Sequence, residues 1–229
     1  MKKLTVKDLV YVAMYVALYI ALKWVGNLIP FLDMPNGGSI ALELIPLFVA
    51  SYHLGWKLGG LTAILAWLVA MLFFKVYFVN PIQFLLDYTL PTVFCGLASL
   101  LWPFKNFNKI GVGIIGALLG LAAYFGIVKS FPAETITYVF AGIIALATVV
   151  FTILYLPERQ QFGVIIAMLC RFLFTATSGA VYWAEGVAAG SKEAWVFSLG
   201  YNLWYNLVTM VVCIYLVPVI LDRIKPLRK

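Results

Sequence analysis

Residues 80–91 read Asn-Pro-Ile-Gln-Phe-Leu-Leu-Asp-Tyr-Thr-Leu-Pro (NPIQFLLDYTLP). Pro81 suits the first turn of a helix, where its missing N–H would have no partner anyway. From Pro81 to Trp102 the chain holds one charge, Asp87, in an otherwise apolar run. A helix of that length crosses a hydrocarbon core of about 30 Å. The stretch therefore reads as a transmembrane helix with a carboxylate about two turns inside. A charge at such a place costs roughly 2.5–3.5 kcal/mol on insertion scales, so it marks a functional site.

The rest of the chain agrees. Of 229 residues, 64% are hydrophobic and 11% charged, which places the protein in the membrane class. Eight apolar spans follow one another, at 8–30, 40–54, 58–79, 81–102, 110–128, 137–156, 161–184 and 195–221; the second is short. In lipid the backbone must satisfy its own hydrogen bonds, so these spans are helices. They are continuous rather than alternating, which excludes a barrel. The expected fold is an all-α integral membrane protein, a bundle of about eight transmembrane helices in one domain, 1–229. Cys95, Cys170 and Cys213 all fall inside spans, so a disulfide framework is not expected. No cleavable signal peptide is expected, because the run from Leu9 to Leu22 lacks a small-residue cleavage site.

The net charge is +7, and its distribution matters more than its size. With both termini cytoplasmic, eleven basic residues lie in inner segments: Lys2, Lys3, Lys7, Lys57, Lys105, Lys109, Arg159, Arg223, Lys225, Arg228 and Lys229. Only Lys129 and Lys192 lie in outer loops, while Lys23 and Lys75 sit near outer helix ends and Arg171 within a span. This is the positive-inside pattern of a multi-pass plasma-membrane protein of a prokaryote, and it argues against nucleic-acid binding. Asp33, Glu134, Glu185 and Glu193 then fall outside, with Glu43 and Asp87 in the outer halves of their helices. An acidic outer side fits a small cationic ligand arriving from outside.

Several groupings share a helix face. Ala13, Ala17 and Ala21 form a small-residue ridge that lets another helix approach, in this chain or a partner. Pro35, Asn36, Gly37 and Gly38 make a turn former, either a lid over an outer pocket or a plain tight turn. Asp87 is either unpaired or joined to Arg171. Thr175, Gly179 and Trp183 recur at four-residue spacing. Gly179 beneath Trp183 leaves room for a flat ring against the indole, a good cation–π platform, although Trp183 also fits an interfacial belt. Trp56, Trp102 and Trp195 read as belt residues. Asn202 and Asn206 either read a heterocycle edge or join two helices. His53, the single histidine, has no ligand partner at metal spacing, so neither a metal nor another cofactor is expected.

Taken together, MPNGGSIALELIP (34–46), NPIQFLLDY (80–88), CRFLFTATSGAVYW (170–183) and WVFSLGYN (195–202) resemble the thiamine-specific substrate-binding component (S component) of energy-coupling factor transporters. The resemblance implies a six-helix membrane protein that binds a vitamin from outside and has no catalytic residues. It also implies docking on a transmembrane coupling subunit driven by ATPase subunits, with Ala13, Ala17 and Ala21 at that contact. The chain lacks a Gly-x-x-x-x-Gly-Lys-Ser/Thr phosphate loop, so ATP hydrolysis by that route must come from partners. The family's pocket falls on Asp87, Tyr88, Gly179, Trp183 and Asn202, and less securely on Tyr77.

There are departures. Thr175 stands where relatives carry a histidine, and Phe197 where they carry a pocket tyrosine. Val187 to Gly190 replaces a Pro-Lys-Gly loop. The resemblance implies thiamine as the ligand, whereas the departures point to a related small aromatic or cationic nutrient; an integral-membrane enzyme using Asp87 is the alternative class. The family joins its fourth and fifth helices by a short loop. Here residues 103–159 add two apolar runs, read as a helical hairpin inserted between core segments 1–102 and 160–229.

Overall fold

The computed structural model describes residues 4–35, 37–101, 109–130, 134–155, 159–184 and 186–224. Asn36 of the turn, Trp102, Glu185 and the basic residues Lys2, Lys3, Lys105, Lys225, Arg228 and Lys229 lie outside them. The described chain is helical: α1 (Val6–Asn27), α2 (Leu44–Leu54), α3 (Trp56–Phe73), α4 (Pro81–Phe84), a π-helical turn (Leu85–Thr89), α5 (Leu90–Gly96), α6 (Ala98–Leu101), α7 (Lys109–Ser130), α8 (Thr135–Tyr155), α9 (Arg159–Tyr182) and α10 (Lys192–Ile224). Among the described residues five helices are long and apolar enough to cross a membrane: Val6–Asn27, Trp56–Phe73, Thr135–Leu154, Phe162–Tyr182 and Lys192–Ile224.

Helix α2 is the centre of the bundle. Its sequence is apolar on all sides, which suits a helix surrounded by protein. Leu47, Phe48 and Ala50 are wholly buried, and α1, α3, α5 and α10 all pack around it. Eleven residues give it about 16 Å, so the second span is a core helix shorter than the bilayer. Helix α1 starts at a capping box: Thr5 Oγ1 accepts from Asp8 N, and the Asp8 carboxylate accepts from Thr5 N at 3.0 Å. It buries Val12, Tyr15 and Tyr19. Ala13, Ala17 and Ala21 are exposed on its other face. The described residues leave this ridge uncovered.

Two spans are broken where hydropathy shows no break. The third ends as a helix at Phe73, and Phe74 is already extended (φ −120°, ψ 142°). The segment 74–80 then returns over the bundle end, and its backbone is held by side chains of the next helix. Val79 N donates to Gln83 Oε1 at 3.0 Å and Tyr77 N to Tyr88 OH at 3.1 Å. The fourth span is interrupted by the π-turn and again at Leu97. Gly96 and Gly59 face each other where α5 crosses α3, so close that a Cβ on either would meet the other's carbonyl oxygen.

Helices α7 and α8 form a hairpin, in which Gly116 and Gly120 admit Thr152 and Val149 of α8. It leans on α10, with Phe151 edge-on to Tyr215 at 4.5 Å between centroids.

Candidate functional site

One end of the bundle opens into a cavity of about 630 Å³, within the usual range for small-molecule sites. Its roof is the loop 33–39. Its walls come from α1, the start of α2, α3, the segment 74–80, the π-turn, α5, α9 and α10; among the described residues α7 and α8 contribute no lining.

The π-turn sets the acid. Asn80 caps α4, its Oδ1 accepting from Ile82 N and Gln83 N at 2.9 Å each. Four residues beyond Asp87 stands Pro91, which has no N–H for the Asp87 carbonyl. The local register widens, and Leu90 N donates to Leu85 O, five residues back. Such turns are frequent at functional sites because they re-aim a side chain within a helix. Here Asp87 faces the cavity. Its Oδ2 accepts from Gln83 Nε2 at 2.6 Å and from the indole Nε1 of Trp183 at 3.0 Å. Among the described residues Asp87 makes no ion pair with Arg171, whose Nε donates instead to Asn206 Oδ1 at 2.8 Å; its partners are two neutral donors rather than a cation.

Tyr88 lies flat on Trp67, with ring centroids 5.3 Å apart and 5° between planes. Trp183 follows the end of α9, lines the cavity and is 40% exposed, with its N–H fixed on Asp87. Gly179 lines the cavity too, but the space beside it is not open as expected. A Cβ there would run into Ser198 Oγ and lie 3.2 Å from Asn202 Nδ2. The glycine serves close approach of α10 to α9.

Asn202 is buried. Its Nδ2 donates to Ser198 O at 2.9 Å, and its Oδ1 accepts from Tyr205 OH. Asn206 joins the two helices: its Nδ2 donates to Asn202 O at 2.9 Å and Thr175 Oγ1 at 3.3 Å, while its Oδ1 holds Arg171. The hydroxyl of Thr175 donates back into α9, to the carbonyls of Arg171 and Phe172 at 3.2 Å.

Seven of the eight sequence-derived positions therefore meet in one cavity: Tyr77, Asp87, Tyr88, Thr175, Gly179, Trp183 and Asn202. Phe197 does not line it. That side chain is 59% exposed and stacks on Tyr201, which lines the cavity one turn further along α10. Tyr201 and Tyr205 were missed, although their four-residue spacing puts them on one face with Phe197. Of the turn residues singled out in the sequence, Pro35, Gly37 and Gly38 line the cavity, together with Asp33, Met34 and Ser39 beside them. Tyr201 OH donates to Gly37 O at 2.9 Å, and Gly38 (φ +88°) lies against the ring of Tyr205. An antiparallel bridge between Asp33 and Ser39 closes the loop, and Ala41 N donates to Thr209 Oγ1 at 3.1 Å.

Lys23 and Glu43 both line the opposite wall and pair with each other at 3.0 Å. Among the described lining residues, three carboxylates (Asp33, Glu43, Asp87) stand against two cations (Lys23, Arg171), an excess of one negative charge that favours a cation. His53 lies in the last turn of α2, away from the cavity, with its Nδ1 2.8 Å from Tyr15 OH.

Residues 9–229 match the family described as "Thiamine transporter protein". The chain is 27% identical over 183 residues to the "Thiamine transporter ThiT" of Bacillus subtilis (strain 168), covering 80% of this chain and 74% of that protein. No solved structure matches it. The family is one of transport proteins rather than enzymes, its members lie in the cell membrane, and the match spans almost the whole sequence; the chain belongs to the thiamine transporter protein family.

Proposed function

We propose that this chain is the substrate-binding component of a vitamin-uptake transporter and that its cavity takes thiamine. The observation that carries the reading is the Asp87–Trp183 pair on the cavity wall. A carboxylate beside an exposed indole suits an aminopyrimidine linked to a thiazolium cation. In this reading Asp87 accepts from the pyrimidine amino group, Trp183 stacks on a ring, and Tyr88 and Tyr77 border the ligand. Asn202 presents the ring edge through the network it shares with Tyr205. The loop holding Pro35, Gly37 and Gly38 is the lid.

The topology we propose has eight helices with both termini cytoplasmic. A six-helix core, 1–102 and 160–229, carries the site, and the hairpin within 103–159 is an addition to its periphery. A hairpin returns the chain to the side it left, so the cavity helices keep their orientation. The coupling subunit and its ATPases are partners in the membrane, and the exposed ridge of Ala13, Ala17 and Ala21 is the docking face for them. Small residues there permit backbone approach within a lipid environment, where no hydrophobic gain drives association.

Titration of the purified protein with thiamine tests the ligand, with tryptophan fluorescence as the readout and the aminopyrimidine and thiazole halves in parallel. Tight binding with quenching is expected from thiamine, and weak binding from either half. Absence of a thiamine response, with a response to another aromatic amine, would assign the cavity to that ligand class. For the docking face, Ala17→Trp is expected to leave thiamine affinity intact and to abolish uptake in cells supplying the coupling module. Unchanged uptake would remove the α1 ridge from the interface.

A further inference from the structure

Gln83 belongs to the stretch that carries the acid and has so far been given no part in ligand recognition. It is fully buried, and all its polar atoms are used. Oε1 accepts from Val79 N at 3.0 Å; Nε2 donates to Tyr77 O at 3.3 Å and to Asp87 Oδ2 at 2.6 Å. The partners fix which way the amide points. A backbone N–H can only donate, so oxygen must face Val79, and nitrogen then faces the carbonyl and the carboxylate, which can only accept.

Asp87 thus receives two internal donors on one oxygen. Gln83 Nε2 and Trp183 Nε1 both reach Oδ2, from opposite sides of the chain fold. Among the described residues no hydrogen bond reaches Oδ1, on a carboxylate that lines the cavity. A carboxylate bonded through one oxygen by two donors cannot rotate freely about χ2, and its other oxygen is presented in one direction. Gln83 also ties that direction to the extended segment, because the same amide holds Val79 and Tyr77.

We infer that Gln83 is a positioning residue for ligand selectivity: it holds Oδ2 so that Oδ1 of Asp87 meets the ligand's exocyclic amino group. The inference rests on the proposed role of Asp87 and goes beyond it, because it assigns the two oxygens different tasks and places the discrimination in a residue that does not touch the ligand.

The test is the ratio of affinities for thiamine and for an analogue with hydrogen in place of the pyrimidine amino group. Both ligands carry the thiazolium charge, so changes in electrostatics or overall fold cancel in the ratio. Gln83→Met keeps the volume and removes the donor. It is expected to lower the wild-type preference for thiamine by about tenfold, the scale of one hydrogen bond to a charged group. Equal losses for the two ligands, with the ratio unchanged, would overturn the inference in favour of a merely structural role. Gln83→Glu serves if the Met variant does not fold. Its protonated carboxyl has one O–H, enough to donate to Asp87 Oδ2 though not also to Tyr77 O, so measured against wild type at the same pH the ratio should recover at acid pH and fall as that carboxyl ionises; a ratio equal to wild type at every pH would overturn the inference. Asp87→Asn separates the two levels. If that variant leaves the ratio unchanged, the role proposed for Asp87 fails. If it collapses the ratio while both Gln83 variants preserve it, only the role of Gln83 fails.

Discussion

Asp87→Asn is expected to weaken thiamine binding by roughly ten- to a hundredfold, the equivalent of one charge-assisted hydrogen bond at about 1.5–3 kcal/mol. The direction follows from the two donors on Oδ2. In the variant the side-chain oxygen must face Gln83 Nε2 and Trp183 Nε1, since an NH₂ group there would meet two donors. The new NH₂ then points into the cavity, where a ligand amino group would also be donating. The cavity also loses a negative charge facing a cation. Calorimetric titration of the variant in parallel with the wild type gives the number. Affinity within a factor of about two, well under the 1.4 kcal/mol of a tenfold change, would remove Asp87 from the site.

The second large effect concerns the lid. Gly37 and Gly38 have nearly the same positive φ, +89° and +88°, at which a side chain is strained by about 1–2 kcal/mol. They differ in what surrounds them. A Cβ on Gly37 meets no described atom within 4 Å, whereas a Cβ on Gly38 would come within 2.8 Å of Tyr205 Cζ. Gly37→Ala therefore adds strain alone, and Gly38→Ala adds strain and pushes the loop off α10. Stopped-flow chase of bound thiamine should show faster release from both, with Gly38→Ala faster than Gly37→Ala by about tenfold if the displacement costs a further 1.4 kcal/mol. Equal release rates would mean that contact of the loop with Tyr205 does not retain the ligand.

What could be read from the chain alone divides along a physical line. Asp87 stood out because a charge in an apolar run is rare enough to need no structure to interpret it. Gly179 and Trp183 came out by helical periodicity, and α7 and α8 by hydropathy. Hydropathy does not register helix breaks inside apolar sequence, so the extended segment after Phe73 and the interruption at Leu97 were absorbed into unbroken spans. Pairings between distant segments were equally invisible. Lys23 read only as a residue near an outer helix end, yet it is bound to Glu43, and Arg171 read as one possible partner for Asp87, yet it is bound to Asn206. Each depends on how two helices are rotated against each other, which spacing within one helix does not state. Phe197 entered as the counterpart of a pocket tyrosine in the family it resembles; the structure gives the cavity position to Tyr201, one turn on.

The π-turn makes the aim of Asp87 a matter of counting. The upstream register is fixed by the Asn80 cap and by the grip of Gln83 on Val79, and the downstream register by the Gly59–Gly96 contact. Between these anchors the chain carries one residue more than a regular helix would need. Removing one of residues 85–89 other than Asp87 would let a regular helix join the same two anchors, so both would stay in register while the bulge that aims Asp87 into the cavity was lost. Single substitutions through this stretch are thus a milder insult than a single deletion. Among relatives, the length between Pro81 and Pro91 carries information about ligand binding that a comparison of residue types alone would overlook.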